Sequence, residues 1–169
     1  MTGPAPDGPA PDGQDDVDQV SALSDHDTVW PDDPFAPLDL PTQRRDARER
    51  AVTLLYEAEM KSVAGTEIVD ELTLAPDPMA SELVVGVTDK ATLLDEHISA
   101  SLDKSWSLHR LAVLDRIVLR IATYELMFRP KVPTGAAINE AVEMAKRFSG
   151  PEAGKFVNGV LSAIARSVR

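Results

Sequence analysis

Four arginines, Arg44, Arg45, Arg48 and Arg50, crowd one short stretch of the chain, and Tyr56 follows two helical turns after Arg48. At about 100° per residue, Arg45, Arg48, Val52 and Tyr56 fall in one wedge about 80° wide. That wedge lies beside an apolar stripe of Ala47, Ala51, Leu54, Leu55 and Ala58. Guanidinium groups next to an aromatic edge suit single-stranded RNA, because phosphates pair with arginine and a base stacks on tyrosine or arginine. The same residues also fit a solvated helix start with Tyr56 turned into the core, and on their own they leave both readings open. The charges run against the helix dipole, which disfavours cations in the first turns. Local pairs one turn apart, Arg45 with Glu49 and Asp46 with Arg50, would offset part of this, whereas Arg44 and Arg48 form a like-charge pair.

A second group is Lys155-Phe156-Val157-Asn158-Gly159. Asparagine and glycine are poor helix formers, so their place inside an apolar helical period implies a compensation. A close helix approach at Gly159 and a buried hydrogen bond from Asn158 would provide one. Ala137-Ile138-Asn139-Glu140-Ala141 likewise puts a polar pair inside a helix, where it would serve a cap or an interior network.

Little else in the chain suggests chemistry. The three histidines, His26, His97 and His109, are scattered, and no HExxH, GxSxG, Walker A or GxGxxG pattern occurs. Asp95-Glu96-His97 comes nearest to a metal cluster, but adjacent helical residues point about 100° apart and cannot share an ion. With no cysteine there are no disulfides, thiolate zinc sites or cysteine nucleophiles. Nothing in these residues proposes a catalytic pair, a metal or a cofactor.

The elements that must carry these residues are helical from Thr42 onward. The apolar spacing predicts a first helix over about 43–61 and a short second one near 66–72. Asp77 followed by Pro78 reads as cap and first-turn proline of a third helix. That helix is predicted to be long, since Leu83, Val87, Ala91, Leu94, Ile98 and Leu102 recur every three or four residues. Ser107 is the expected cap of a fourth, whose wide stripe of Leu111, Leu114, Val118 and Ile121 marks it as the central, most buried helix. A fifth covers about 134–148, with Ile138, Ala141, Val142 and Ala145 inward. Ser149 and Glu152 fit a capping box opening a sixth. No apolar–polar alternation suggests a strand, so the fold class is all-α.

The formal net charge of −11 is unevenly spread. Residues 1–41 hold ten aspartates, no basic residue and eight of the 13 prolines, whereas the rest of the chain is close to neutral. Such a segment cannot bury enough surface to offset its chain entropy, so residues 1–42 are expected to form a disordered acidic tail. Its carboxylates either compete with RNA phosphates for the nearby guanidinium groups or, screened by salt, only keep the chain soluble without touching the helix. No run of about 18 apolar residues could span a membrane, and the N-terminus lacks the features of a signal peptide, so a cytoplasmic location is expected.

Taken together, four blocks resemble the NusB transcription antitermination family. They are Arg44-Arg45-Asp46-Ala47-Arg48-Glu49 with Tyr56, Leu119-Arg120-Ile121-Ala122-Thr123-Tyr124-Glu125-Leu126, Ala137 to Ala141, and Lys155-Phe156-Val157-Asn158-Gly159-Val160-Leu161. They stand in the right order and spacing over residues 43–169, which would be the helical RNA-binding domain. The resemblance implies two packed three-helix bundles that bind boxA, a short single-stranded RNA, jointly with the ribosomal protein NusE. It also implies a complex that loads onto RNA polymerase and favours read-through of ribosomal RNA operons. Carried over by position, Arg44, Arg45, Arg48, Tyr56, Lys155 and Phe156 are the implied RNA-binding residues, with Asn158 and Gly159 structural. Asp46 departs from the family's usual basic residue and implies weaker RNA binding; Gly154 replaces a more usual polar residue and implies a looser turn. Some RNA methyltransferases carry a similar domain, but with the chain ending at Arg169 a catalytic fold is not expected. A protein-binding helical module, or a homodimer whose arginine face meets an acidic surface, is the remaining alternative.

Overall fold

The computed structural model describes Gly3 and residues 40–169, so the expected acidic tail lies outside the described residues except at Gly3 and at residues 40–42, which are helical and open α1. The described chain is all-helical. Its helices are α1 (Leu40–Lys61), α2 (Gly65–Asp70), α3 (Pro78–Asp89), α4 (Ala91–Ser101), α5 (Val113–Phe128), α6 (Thr134–Ser149) and α7 (Pro151–Val168). Helices α1, α2 and α3 pack together as one half; α5, α6 and α7 form the other, with α4 laid against α5 and α7. The stripe read on α1 is the buried one, and Ile121, at the centre of α5, is fully enclosed.

Three expected boundaries are displaced. The long third helix is two, because Lys90 leaves the helical region at φ −105°, ψ 9°. The break is hidden in sequence: Leu94 N–H still bonds Lys90 O at 2.9 Å, so the apolar spacing carries across it. Ser107 caps no α-helix, and its side chain makes no capping hydrogen bond. A single 3-10 turn, Leu108–Arg110, follows it, and α5 starts only at Val113. No capping box forms between Ser149 and Glu152, because Ser149 is the last residue of α6. Gly150, at φ 108°, turns the chain into Pro151 in a conformation that favours glycine. Asp77 behaves as expected, accepting from Met79 N–H at 2.8 Å and Ala80 N–H at 3.4 Å.

The compensation expected around Asn158 and Gly159 is absent. Both residues are exposed, and a Cβ built on Gly159 would meet nothing within 4 Å. The close approach of α6 and α7 falls instead at Gly154, which is buried and where a Cβ would stand 2.7 Å from Lys146 Cγ. Another close approach joins the two halves: a Cβ on Gly86 of α3 would lie 2.2 Å from the Tyr124 ring of α5.

Charged groups complete the joint between halves. Arg48 of α1 is buried and donates from Nε and Nη2 to the two carboxylate oxygens of Glu125 on α5, each at 2.9 Å. Nearby, Arg116 and Arg120 of α5 reach Glu59 of α1, and Arg120 also binds Asp95 of α4 at 2.7 Å. Asp95 is thereby committed to an ion pair, which accounts for the acidic end of the Asp95-Glu96-His97 cluster. Removing one partner of a buried pair strands the other charge in a dry interior, at about 3–5 kcal/mol. Arg48→Ala is expected to lower the unfolding free energy by about that much in a denaturant titration, whereas Arg45→Ala should leave stability near the parent's. A well-tolerated Arg48→Ala would contradict the placement of Arg48.

Candidate nucleic-acid interface

The arginines that the sequence grouped in one wedge are divided by the structure. Arg48 and Val52 face the core, while Arg45 and Tyr56 face outward. Arg48 is 4% exposed and has two of its donors on Glu125, so it is a structural anchor first. Tyr56 is 40% exposed, which removes the alternative of a core tyrosine. Arg44 and Asp46 are also exposed.

Arg45 does not take its expected local partner, Glu49. It reaches across to α6 and forms a two-pronged pair with Glu140, Nε to Oε2 at 3.2 Å and Nη2 to Oε1 at 3.1 Å. The hydrogen bond and then the charge of Glu140 hold the guanidinium above its ordinary pKa. Glu49 is taken by Arg147 of α6. The polar pair expected to cap or to form an interior network is therefore external: Asn139 is exposed, and Glu140 ties α6 to α1.

Three shallow grooves run side by side over α6. The first, about 420 Å³, lies between the start of α1 and the α5–α6 turn, with Arg44, Arg129, Lys131 and Glu140 on its walls. The second, about 500 Å³, shares Glu140 and adds Arg45, Glu49, Lys146 and Arg147. The third, about 450 Å³, shares Lys146 and adds Ile138, Asn139, Lys155 and Asn158. The first two grooves meet at Glu140 and bring Arg44 and Arg45 together, and Lys146 links them round α6 to the third groove, which holds Lys155. The cations of this band are prominent but partly matched by carboxylates, as with Lys146 to Glu143 at 2.8 Å and Lys155 to Glu152 at 3.3 Å. Exposed pairs of this kind are weak and salt-sensitive, so an incoming anion can displace the carboxylate.

Phe156 lies outside the three grooves. It packs against Trp106, with ring centroids 5.9 Å apart, over a pocket of about 330 Å³ that Asp115 and Glu152 also line. Trp106 is half exposed and carries no signal in the sequence, being isolated in a loop. Lys146, Arg147 and Lys131 escape sequence reasoning for a similar cause: basic residues at a helix end or in a turn carry no pattern of their own. Among the described residues no group of three histidine, cysteine or acidic side chains could hold a metal ion.

A family model described as the NusB family matches residues 45–166. The chain belongs to the NusB family. The transcription antitermination protein NusB of Bacillus subtilis is 41% identical over 124 residues, covering 72% of this chain and 94% of the relative. The NusB of Geobacillus kaustophilus is 39% identical, with 72% and 95% covered. Among solved structures, T. maritima NusB superposes with a TM-score of 0.66 at 37% identity, over 73% of this chain and 90% of that one. A chain from a crystal structure of antitermination factors NusB and NusE in complex with dsRNA gives 0.63 at 29% identity, over 75% and 98%. Family membership agrees with the all-α architecture and with the four sequence blocks that carried the resemblance. No helix among the described residues is long and apolar enough to cross a membrane.

In this NusB-family chain, the Arg45–Glu140 pair makes a direct prediction. Glu140→Gln is expected to shift and broaden the Arg45 Nε–H resonance in a nitrogen–proton correlation spectrum while leaving the Arg48 resonance in place. An unchanged Arg45 signal would show that the pair does not form in solution.

Proposed function

We propose that this protein is a transcription antitermination factor that binds single-stranded boxA RNA jointly with NusE, and acts by binding rather than by catalysis. The complex joins RNA polymerase in the cytoplasm and favours read-through of ribosomal RNA operons. The observation that supports this reading is the run of linked grooves over α1, α6 and α7, lined by the exposed cations Arg44, Arg45, Lys146 and Lys155. Family membership supports it, as does a relative crystallised with NusE and RNA. That relative's RNA is a duplex. A single strand is favoured here because Tyr56 and the Trp106–Phe156 pair expose aromatic surface on which unpaired bases can stack.

In this reading Arg44, Arg45 and Lys155 contact phosphates, and Tyr56 and Phe156 supply stacking surfaces. Arg48 serves the interface indirectly, by holding α1 against α5. Residues 43–169 form the RNA-binding domain, with the acidic segment before it.

A filter-binding titration with boxA RNA, run over a range of salt, tests the assignment. Arg45→Ala and Lys155→Ala should each flatten the dependence of log K on log salt by up to about 0.7 for every phosphate left without its cation. Tyr56→Ala should cost about 1–3 kcal/mol with almost no change in that slope. Equal binding of a matched duplex would favour shape recognition of double-stranded RNA. Unchanged affinity and slope in Arg45→Ala with Lys155→Ala would instead favour a protein-binding module or homodimer, whose arginine face meets an acidic surface.

A further inference from the structure

The first groove holds cations to which the RNA-binding assignment gives no role. Arg129 and Lys131 come from the turn between α5 and α6 and face Arg44 across the opening. Four cations line this groove against one carboxylate, Glu140, which is already engaged by Arg45. Arg48 is likewise engaged by Glu125, but Arg44 and Lys131 are in no ion pair among the described residues.

Arg129 is turned away from solvent: its Nε pairs with Glu82 at 3.3 Å, and its buried Nη1 faces the Glu125 carboxylate at 3.7 Å. The exposed cations of the groove are therefore Arg44 and Lys131. The turn that carries Lys131 is firmly held. The Arg169 guanidinium donates to the carbonyls of Glu125, Leu126, Arg129 and Val132 at 2.6–3.1 Å, and to Thr134 Oγ1 at 3.2 Å. Arg129 and Lys131 therefore stand on a preorganised support, which lowers the ordering cost of binding an anion. Between the charges, Met79, Val132 and Pro133 provide apolar surface.

We propose that this groove is a nucleotide subsite at the Arg44 end of the band, where the RNA path continues onto Lys131 of the α5–α6 turn. One backbone phosphate sits between Arg44 and Lys131, and the attached sugar or base lies against Met79 and Val132. The subsite rests on the RNA-binding function proposed for the band and names where the strand continues. Continuity favours RNA over an acidic peptide, since this groove shares Glu140 with the groove that holds Arg45.

The test uses the full chain together with NusE and a series of boxA RNAs lengthened two nucleotides at a time from either end, each titrated over a range of salt. For the parent protein, one end should show a step at the length that reaches the groove: tighter binding, and a salt slope steeper by about 0.7. Lys131→Gln should remove that step and leave shorter RNAs bound as before. A 4-thiouridine placed at the step position should crosslink to the peptide containing Met79 or Lys131. A step that survives Lys131→Gln, or no step at either end while shorter RNAs bind normally, overturns the subsite alone. A parent protein that binds none of the RNAs overturns the RNA reading and the subsite with it. Lys131 dependence seen only in NusE binding would assign the groove to a protein carboxylate and also overturn the proposal.

Discussion

The buried pair between Arg48 and Glu125 is the constraint on which the rest of the arrangement depends. Two full charges leave water there, and the desolvation they suffer is recovered only if both prongs of the guanidinium meet both carboxylate oxygens. The 2.9 Å bonds satisfy that condition. It holds for only one placement of α1 against α5, because a slip of one residue would rotate Arg48 about 100° away from its partner. Fixing α1 in this way turns Arg44, Arg45 and Tyr56 outward on the helix that Arg48 anchors. It also brings Arg45 within reach of Glu140 on α6, so one interior ion pair sets the geometry of an exterior one.

The exterior charges follow different physics. Arg45 with Glu140, Lys146 with Glu143 and Lys155 with Glu152 lie in or near solvent, where each pair is worth little and salt screens it. Such a surface is near neutral overall, yet it offers cations wherever an anion can replace a carboxylate. A phosphate chain can replace several at once, which a single small anion cannot. This surface therefore suits an extended polyanion better than an isolated phosphate.

Much of this fold was legible in the sequence, and the reasons for the gaps are specific. The stripes on α1 and α5 and the Asp77-Pro78 start of α3 were readable because each depends on residues close together in the chain. The division of α3 from α4 was hidden because the bond to Lys90 preserves the apolar period through the break. Arg45 and Arg48 looked alike in sequence, since each is an arginine on one helical wedge. What separates them is a partner 95 residues away in one case and 77 in the other. Gly154 and Gly159 exchanged roles for a comparable reason: which glycine meets a neighbouring helix depends on how α6 and α7 pack, and one helix alone cannot show it.

The central claim is that Arg48 acts through the fold, and that the RNA surface is made of the exposed residues this fold positions. The most direct measurement is the boxA affinity of the paired replacement Arg48→Met with Glu125→Leu, compared with Arg48→Met alone. Removing both charges relieves the stranded partner and leaves Arg129 its pair with Glu82, and such replacements of buried pairs by apolar residues are often neutral or stabilising. The account predicts that the single variant binds poorly because it is unstable, and that the double variant recovers both stability and the parent's affinity and salt slope. A double variant that folds as stably as the parent but still binds boxA weakly, with a flatter salt slope, would show that Arg48 touches the RNA itself.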